Sequence, residues 1–547
     1  MNVLKQVAAC LVAAASVASG PAQSAAASPR PDARAGEAIF LRGVLGSGRL
    51  LEATNDIGLN IRGATAACAN CHRRSGLGSR EGRSLIPPIT GRYLFRPRDA
   101  SGEQLELPFV EAVRDKRAPY TEATLANAVR DGVDSEGRAL KTLMPHFQLG
   151  DADMAALTGY LKSLDQRQVP GVTATALHFA TIITPDADPV QRKGVLAVLE
   201  QFFAERNARQ MSPAPRMRSA RVVQFMVHRR WELHVWELTG PESTWSEQLD
   251  RRMKDQPVFA VLSGLAARSW APVHGFCERA RVPCLFPNVE VPVDSERDFY
   301  SVYFSKGVLL EAELIGSRIQ SSTGTAAARA VHQIYRIGDS GQTAAEALAA
   351  ALASRGVDVQ NHALGAAAPP EAVESAVRAS AGAGTLILWL RPPDIAGLGA
   401  PPPPATAVFM SGLLGQLERS PVPANWRERT SLAYPFDLPE RRRVRMDYAF
   451  GWFRIRQIPV VAEQVQADTY LACSLVSEIL NHVSDTFIRE YLVERIEDML
   501  SRRTLTGYYP RLSLAPGQRF ASKGGYLVHF STANSAQLVA DGEWTVP

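Results

Sequence analysis

Two thiols and an imidazole stand together in Cys68-Ala69-Asn70-Cys71-His72. Thiols separated by two residues can add to the vinyl groups of a haem as thioethers, and the adjoining histidine offers an axial nitrogen to the iron. The spacing therefore reads as a covalent haem attachment site. A structural zinc site would need a second ligand pair, and no C-x-x-C or H-x-x-x-H follows nearby. A thioredoxin-like redox pair would need a βαβ setting, which the flanking pattern lacks. Haem iron takes a second axial donor, soft or imidazole, and Leu143-Met144-Pro145-His146-Phe147 presents two, Met144 and His146.

Helices must bring these groups together. An amphipathic segment, Ala33 to Arg42, precedes the motif, and Asp151 is placed to N-cap a helix whose Leu157, Tyr160, Leu161 and Leu164 share one face. With the haem motif between them, these segments make residues 30–165 resemble a class I cytochrome c, an all-α domain. That resemblance implies that the two helices cross, with Gly36 and Phe40 against Tyr160. It implies Met144, in a Met-Pro segment ahead of the last helix, as the distal ligand, with His146 as runner-up. It further implies a proline carbonyl behind His72, from Pro87 or Pro88 in Pro87-Pro88-Ile89-Thr90-Gly91. One covalent haem c with His72 and Met144 on iron suits outer-sphere electron transfer and leaves no open coordination position, so a haem enzyme such as a peroxidase is disfavoured. No P-loop, G-x-S-x-G elbow or H-E-x-x-H helix occurs elsewhere, and no catalytic residue is assigned. Gly43, Gly46 and Gly48 precede no strand-to-helix phosphate site and read as a loop.

The haem segment is a minor part of 547 residues, a length that requires at least two domains. Apolar residues at 46% and charged residues at 21% describe a folded globular chain. A formal net charge of +5 gives no reason to expect nucleic-acid binding, while an acidic partner protein is compatible with it. The run Arg441-Arg442-Arg443-Val444-Arg445 beside Pro439 reads as a solvated loop.

Lys5, the apolar run Val7 to Val17 and Ala25-Ala26-Ala27 read as a Sec-type signal peptide over residues 1–27, which predicts a periplasmic protein. A lipoprotein box ending at Cys10 ranks second, because too few residues precede it. No later stretch approaches the length of a membrane span. In an oxidising compartment Cys277 and Cys284 could form a disulfide across a helix-to-strand turn, whereas Cys473 falls in an apolar helical pattern as a buried thiol.

Periodicity is lost over 166–176, a linker, and 177–547 then alternates strands with helices. Strands are expected at Leu177 to Ile183, Val222 to Val227, Val258 to Leu262, Ala330 to Ile337 and Thr385 to Leu390. Helices are expected around Val195 to Phe202 and over Trp245 to Met253, Gly307 to Ile319 and Ala344 to Ala353; Pro401 to Pro404 reads as a surface loop. Such alternation predicts two α/β lobes with parallel sheets.

The order, with Val258 to Gly264, the crossover near Tyr300 to Phe304 and the late helix Ala467 to Asn481, resembles type I periplasmic binding proteins. This is the branched-chain amino-acid receptor group that supplies ABC transporters. The resemblance implies a small-molecule ligand between the lobes, near Ser263, Gly264 and Tyr303. The leading expectation is thus a periplasmic mono-haem electron carrier whose large domain docks partners or responds to a ligand. Its redox partners would be proteins such as a periplasmic dehydrogenase or a terminal oxidase. The alternative is a solute-binding receptor or sensor with an accessory haem domain.

Overall fold

The computed structural model describes residues 33–55, 57–82, 84–96, 117–140, 143–210, 229–295, 297–322, 330–416, 422–481, 483 and 487–547. The segment 1–27 with Cys10, read as a signal peptide, and the strand expected over Val222 to Val227, lie outside the described residues.

The helix Ala33–Arg42 crosses the helix Asp151–Ser163, and the crossing is close because Gly36 has no side chain. A Cβ there would lie 2.2 Å from the Ala156 carbonyl oxygen and 2.8 Å from Tyr160 Cβ. Phe40 then packs on Tyr160 with ring centroids 5.3 Å apart, and both are buried with Ile39, Leu157 and Leu161. Because the atom in the way is backbone, Gly36→Ala is expected to force the helices apart. Overpacking of this kind costs about 1–3 kcal/mol, to be read from a denaturant titration followed at the haem Soret band.

The domain is not purely helical, contrary to the all-α expectation. Glu52–Thr54 pairs antiparallel with Asn60–Arg62 and with His146–Phe147, and Ser79–Glu81 pairs with Ser84–Ile86. These loops are long, and their amides and carbonyls find partners in one another where no helix supplies them. Asp151 is also not the cap. Gly150 holds that position, while Asp151 opens the helix and accepts from Arg130 Nη2 at 2.7 Å. Asp153 Oδ1 accepts from the Gly46 N–H at 2.9 Å, which ties the Gly43–Gly48 loop to the helix.

Residues 166–176 are largely exposed but are anchored at Pro170, Gly171 and Ala176. Gly171, at φ +84°, sits where a Cβ would be 2.0 Å from Phe259 N, and Arg489 Nη2 donates to the Pro170 carbonyl at 3.0 Å. His178 N–H donates to Gly171 O at 2.8 Å, so the segment enters the following sheet directly.

Two parallel sheets follow. In the first, Ala176–Ile183 lies between Arg230–Glu237 and Ala260–Leu262, and Cys284–Leu285 and Ser301–Val302 continue outward. In the second, Val331–Arg336 lies between Val359–Leu364 and Thr385–Trp389, and Ala407–Ser411 and Thr430–Tyr434 continue outward. Leaving aside the two-residue strands Leu265–Ala266 and Asn288–Val289, strands taken in chain order run 2-1-3-4-5 in both lobes. The second sheet is closed by Tyr526–Phe530 and Leu538–Ala540, both antiparallel. Helices Pro189–Gln210 and Glu463–Leu480 cover the first sheet, Phe203 of the former packing on Phe179 and Trp231, and Cys473 is fully buried in that layer.

The arginine run is a helix. Pro439 begins Pro439–Ile455 at its first turn, where a missing N–H costs nothing, and so nucleates what it was expected to break. Arg442 is buried and donates to Tyr434 Oη at 2.5 Å. Among the described residues no helix is long and apolar enough to cross a membrane.

Candidate haem attachment site and interlobe cleft

The one-turn helix Ala69–His72 carries the motif, and neither Cys68 nor Cys71 is in a disulfide. His72 Nδ1 lies 3.0 Å from the Pro87 carbonyl oxygen, so that nitrogen is the donor and Nε2 keeps its lone pair. Burial lowers the His72 pKa from its ordinary value, and the Pro87 bond only partly offsets this, so the ring is held neutral, as a metal ligand must be. The proline loop is brought within reach by Gly78, at φ +81°. A Cβ there would be 2.1 Å from Ile86 O, and Gly78 N–H donates to His72 O at 3.1 Å. Ser79 Oγ donates to the Cys71 carbonyl at 2.7 Å and fixes the other side of the turn.

Met144 is half-buried against the core that includes Phe40, Leu125 and Leu157, and Cys68 and Ala69 pack on the same core. His146 is exposed on the two-residue strand beside Thr54, its ring over Gly132, where a Cβ would touch Nε2 at 2.6 Å. Two thiols outside any disulfide and an oriented neutral imidazole on one turn, with Cys68 and Met144 flanking the same apolar core, are residues that fit a covalently held haem.

The contacts of Arg73 to Leu77, immediately after the histidine, were not legible in the sequence. Arg73 makes an ion pair with Glu497, and Glu497 also pairs with Arg519. The side chains of Arg73, Glu497 and Arg519 are 12%, 3% and 2% exposed, so this is a buried network. Ser75 N–H and Oγ donate to Glu494 at 3.0 and 2.5 Å. Burial pushes the Glu494 carboxyl up to about 8. Arg74 stacks 4.4 Å from the Phe299 ring, and Leu77, Tyr93 and Tyr491 form a small apolar contact alongside. The segment after the histidine is thus seated on the helix Arg489–Leu500 of the C-terminal region. That helix reads as an ordinary amphipathic element, and only its distant partners reveal what its glutamates do.

Between the lobes lies a cleft of about 920 Å³, bounded by loops that leave the carboxyl ends of strands in both sheets. This is where open α/β sheets with this strand order hold ligands. Ser263, Gly264 and Tyr303 lie behind its wall and are not among its lining residues. Ser263, at φ +51°, bonds Thr469 Oγ1 at 2.7 Å and Asn288 Nδ2 at 2.9 Å. Gly264 lies under the Trp270 ring, which a Cβ would meet at 2.3 Å. Tyr303 is fully buried with its hydroxyl 2.8 Å from His274 Nδ1. All three point into a core that the strand ends share with the cleft wall, which is why position at a strand end was not sufficient to mark a lining residue.

The cleft surface is aromatic and acidic. Phe304, Tyr434, Tyr508 and Tyr509 line it together with Glu463 and Asp468. Asp468 Oδ2 accepts from Tyr509 Oη and Gln464 Nε2, each at 3.0 Å, while Oδ1 is buried with no hydrogen-bond partner. Burial raises the Asp468 carboxyl to about 7. A carboxylate among the buried positions of Glu463–Leu480 is the signal that could have singled it out. At the cleft edge Arg391, beyond Thr385–Trp389, reaches Glu290 of the first lobe at 2.7 and 2.8 Å. It also reaches Asp339 of its own lobe at 2.6 Å, so the lobes are clasped. Cys277 and Cys284 are joined in a disulfide with Cα atoms 6.1 Å apart, across the turn from Ala271–Ala280 into Cys284–Leu285.

The cytochrome c family model matches residues 62–165, so this part of the chain is a cytochrome c domain, the class that carries covalent haem for electron transfer. No curated protein matches the chain in sequence. Among solved structures, the chain is similar to substrate-binding proteins of ABC transporters. The leucine binding protein of Thermotoga maritima matches at 12% identity and TM-score 0.47, covering 67% of this chain and 98% of that one. The branched-chain amino acid transporter substrate binding protein of Streptococcus pneumoniae, solved with isoleucine, matches at 10% and 0.48, covering 68% and 100%. The fatty acid ABC transporter substrate-binding protein of Thermomonospora curvata matches at 13% and 0.46, covering 70% and 95%.

Proposed function

We propose that this chain is a periplasmic mono-haem c-type cytochrome that passes electrons between partner proteins, and that its binding-protein-like region serves as a docking platform or ligand-responsive module. Cys68 and Cys71 would hold the haem by thioethers, and His72 and Met144 would be its axial ligands. When bound, the haem supplies one-electron transfer. The chain's own part is to orient and to exclude water. Pro87 O fixes the His72 ring and raises its basicity, and the core around Phe40, Leu157 and Met144 keeps that side apolar.

The observation that carries the reading is the His72–Pro87 bond beside two cysteines outside any disulfide, in the domain matched as cytochrome c. The sequence features of residues 1–27 support export, and the Cys277–Cys284 disulfide suits an oxidising compartment. Electron transfer, not turnover of a substrate at iron, is the activity, with dehydrogenases and terminal oxidases the expected kinds of redox partner.

A second reading is favoured by Asp468: a solute receptor or sensor with an accessory haem domain. An orphaned carboxylate oxygen in a cleft lined by tyrosines suits a small ligand that presents a hydrogen-bond donor or a positive charge.

The test is the near-infrared and reduced-minus-oxidised spectrum of mature protein, with and without carbon monoxide, for the wild type and Met144→Ala. The expected result is a methionine-to-iron band and no carbon monoxide binding in the wild type. In Met144→Ala the band is lost, carbon monoxide binds and covalent haem is retained. An unchanged spectrum in the variant would transfer the distal role to His146. Ready carbon monoxide binding by the wild type would move sensing or catalysis ahead of electron transfer.

A further inference from the structure

We propose that His178, Glu232 and His234 form a binding site for a divalent late transition-metal ion such as Zn²⁺, on the first lobe and separate from the haem. His178 lies on Ala176–Ile183, and Glu232 and His234 lie two residues apart on Arg230–Glu237, which places the latter two on one face of their strand. The strands are parallel, with His178 opposite Glu232 and Ala180 opposite His234. One donor atom from each of the three side chains falls within 4.8 Å of the others. His178 Nδ1 is 3.0 Å from His234 Nε2 and 3.4 Å from Glu232 Oε2. Tetrahedral coordination with bonds of about 2.0–2.1 Å separates neighbouring donors by roughly 3.3 Å, so both separations need little adjustment to admit an ion. Two imidazoles and one carboxylate are a donor set that late first-row metals favour, and three protein ligands leave a fourth position to water. All three side chains are half-buried, and Arg230–Glu237, which carries two of them, is the marginal strand of the sheet, so an ion can reach them.

The second lobe supplies a built-in comparison. There His332 lies on the first strand and His362 on the second, with Ile334 opposite His362, and His332 Nδ1 is 3.0 Å from His362 Nε2. The two imidazole pairs therefore occupy the same register on equivalent strands. The position opposite the first-strand histidine is Glu232 in one lobe and Gln360 in the other. A ring-to-ring hydrogen bond accounts for the second pair, whose nearby Ser380 Oγ is 3.4 Å from His362 Nε2. Asp358 acts on His332 electrostatically, but among the described residues only His178, Glu232 and His234 bring three donor atoms within 4.8 Å of one another, which makes the first pair the metal site and the second pair its control.

The test is equilibrium dialysis of the full, haem-loaded chain against Zn²⁺ alone, with bound zinc measured by elemental analysis, for wild type, Glu232→Gln, His234→Ala and His362→Ala. We expect one Zn²⁺ in the wild type and in His362→Ala. In Glu232→Gln and His234→Ala affinity should fall by more than the roughly 10–100-fold that loss of an outer partner costs. Glu232→Gln is near-isosteric, so it carries the test even where His234→Ala fails to fold. No zinc in the wild type, or equal affinity in Glu232→Gln, would overturn the site, and loss of zinc in His362→Ala would assign it to the other lobe.

Discussion

Purified protein with both Cys68→Ala and Cys71→Ala will carry no covalently bound haem, and haem staining of a denaturing gel will detect none. A thioether is made only where a thiol meets a vinyl group, and the other described cysteines are unsuitable. Cys473 is buried in the first lobe, and Cys277 and Cys284 are bonded to each other. A single variant should keep one thioether and stain, at lower yield. Full staining of the double variant would refute the attachment site and remove the basis for electron transfer.

The second large effect is expected away from the iron. Glu497→Ala leaves the buried guanidinium groups of Arg73 and Arg519 without the carboxylate they share. Breaking a buried ion pair by deleting one partner costs about 3–5 kcal/mol, because the remaining charge stays out of water. The loss should be visible as a lower urea midpoint by circular dichroism and at the Soret band together, since Arg73 adjoins His72. A loss below about 1 kcal/mol would mean that water reaches the arginines and the pair behaves as an exposed one.

How much of the fold and the site was legible in the sequence depended on the range of the forces involved. The Cys68-to-His72 motif is local chemistry and was legible directly; its proline partner, Pro87 or Pro88, came from the resemblance to class I cytochromes c, and the structure has Pro87. The Gly36–Tyr160 crossing was legible through the resemblance to class I cytochromes c, and the structure has the two helices crossing there. The alternation of strands and helices pointed to two α/β lobes because the periods differ. Short antiparallel pairs such as Glu52–Thr54 with His146–Phe147 have too few residues to show a period.

Charge density misled at Arg441 to Arg445, where helix initiation by Pro439 decided the outcome. The cleft was least legible. Ser263 and Tyr303 stand at strand ends, yet they face the core, while Asp468 and Arg391 meet the cleft only after helices far apart in the chain have packed. Glu494 and Glu497 were hidden for the same reason, since nothing within Arg489–Leu500 announces Arg73 or Ser75.

The anchoring of residues 166–176 bears on how electrons can arrive. A redox domain on a flexible tether explores a volume set by chain length, and the tether itself supplies a high effective concentration of its target. Here Gly171 is wedged against Phe259, Pro170 is held by Arg489, and Arg73 and Ser75 of the cytochrome domain are bonded to Glu497 and Glu494, so the domain is seated and has no such reach. In the proposed carrier, a redox partner would then have to diffuse to the cytochrome domain where it is seated. The rate of delivery will follow partner concentration and ionic strength, not the length of any arm.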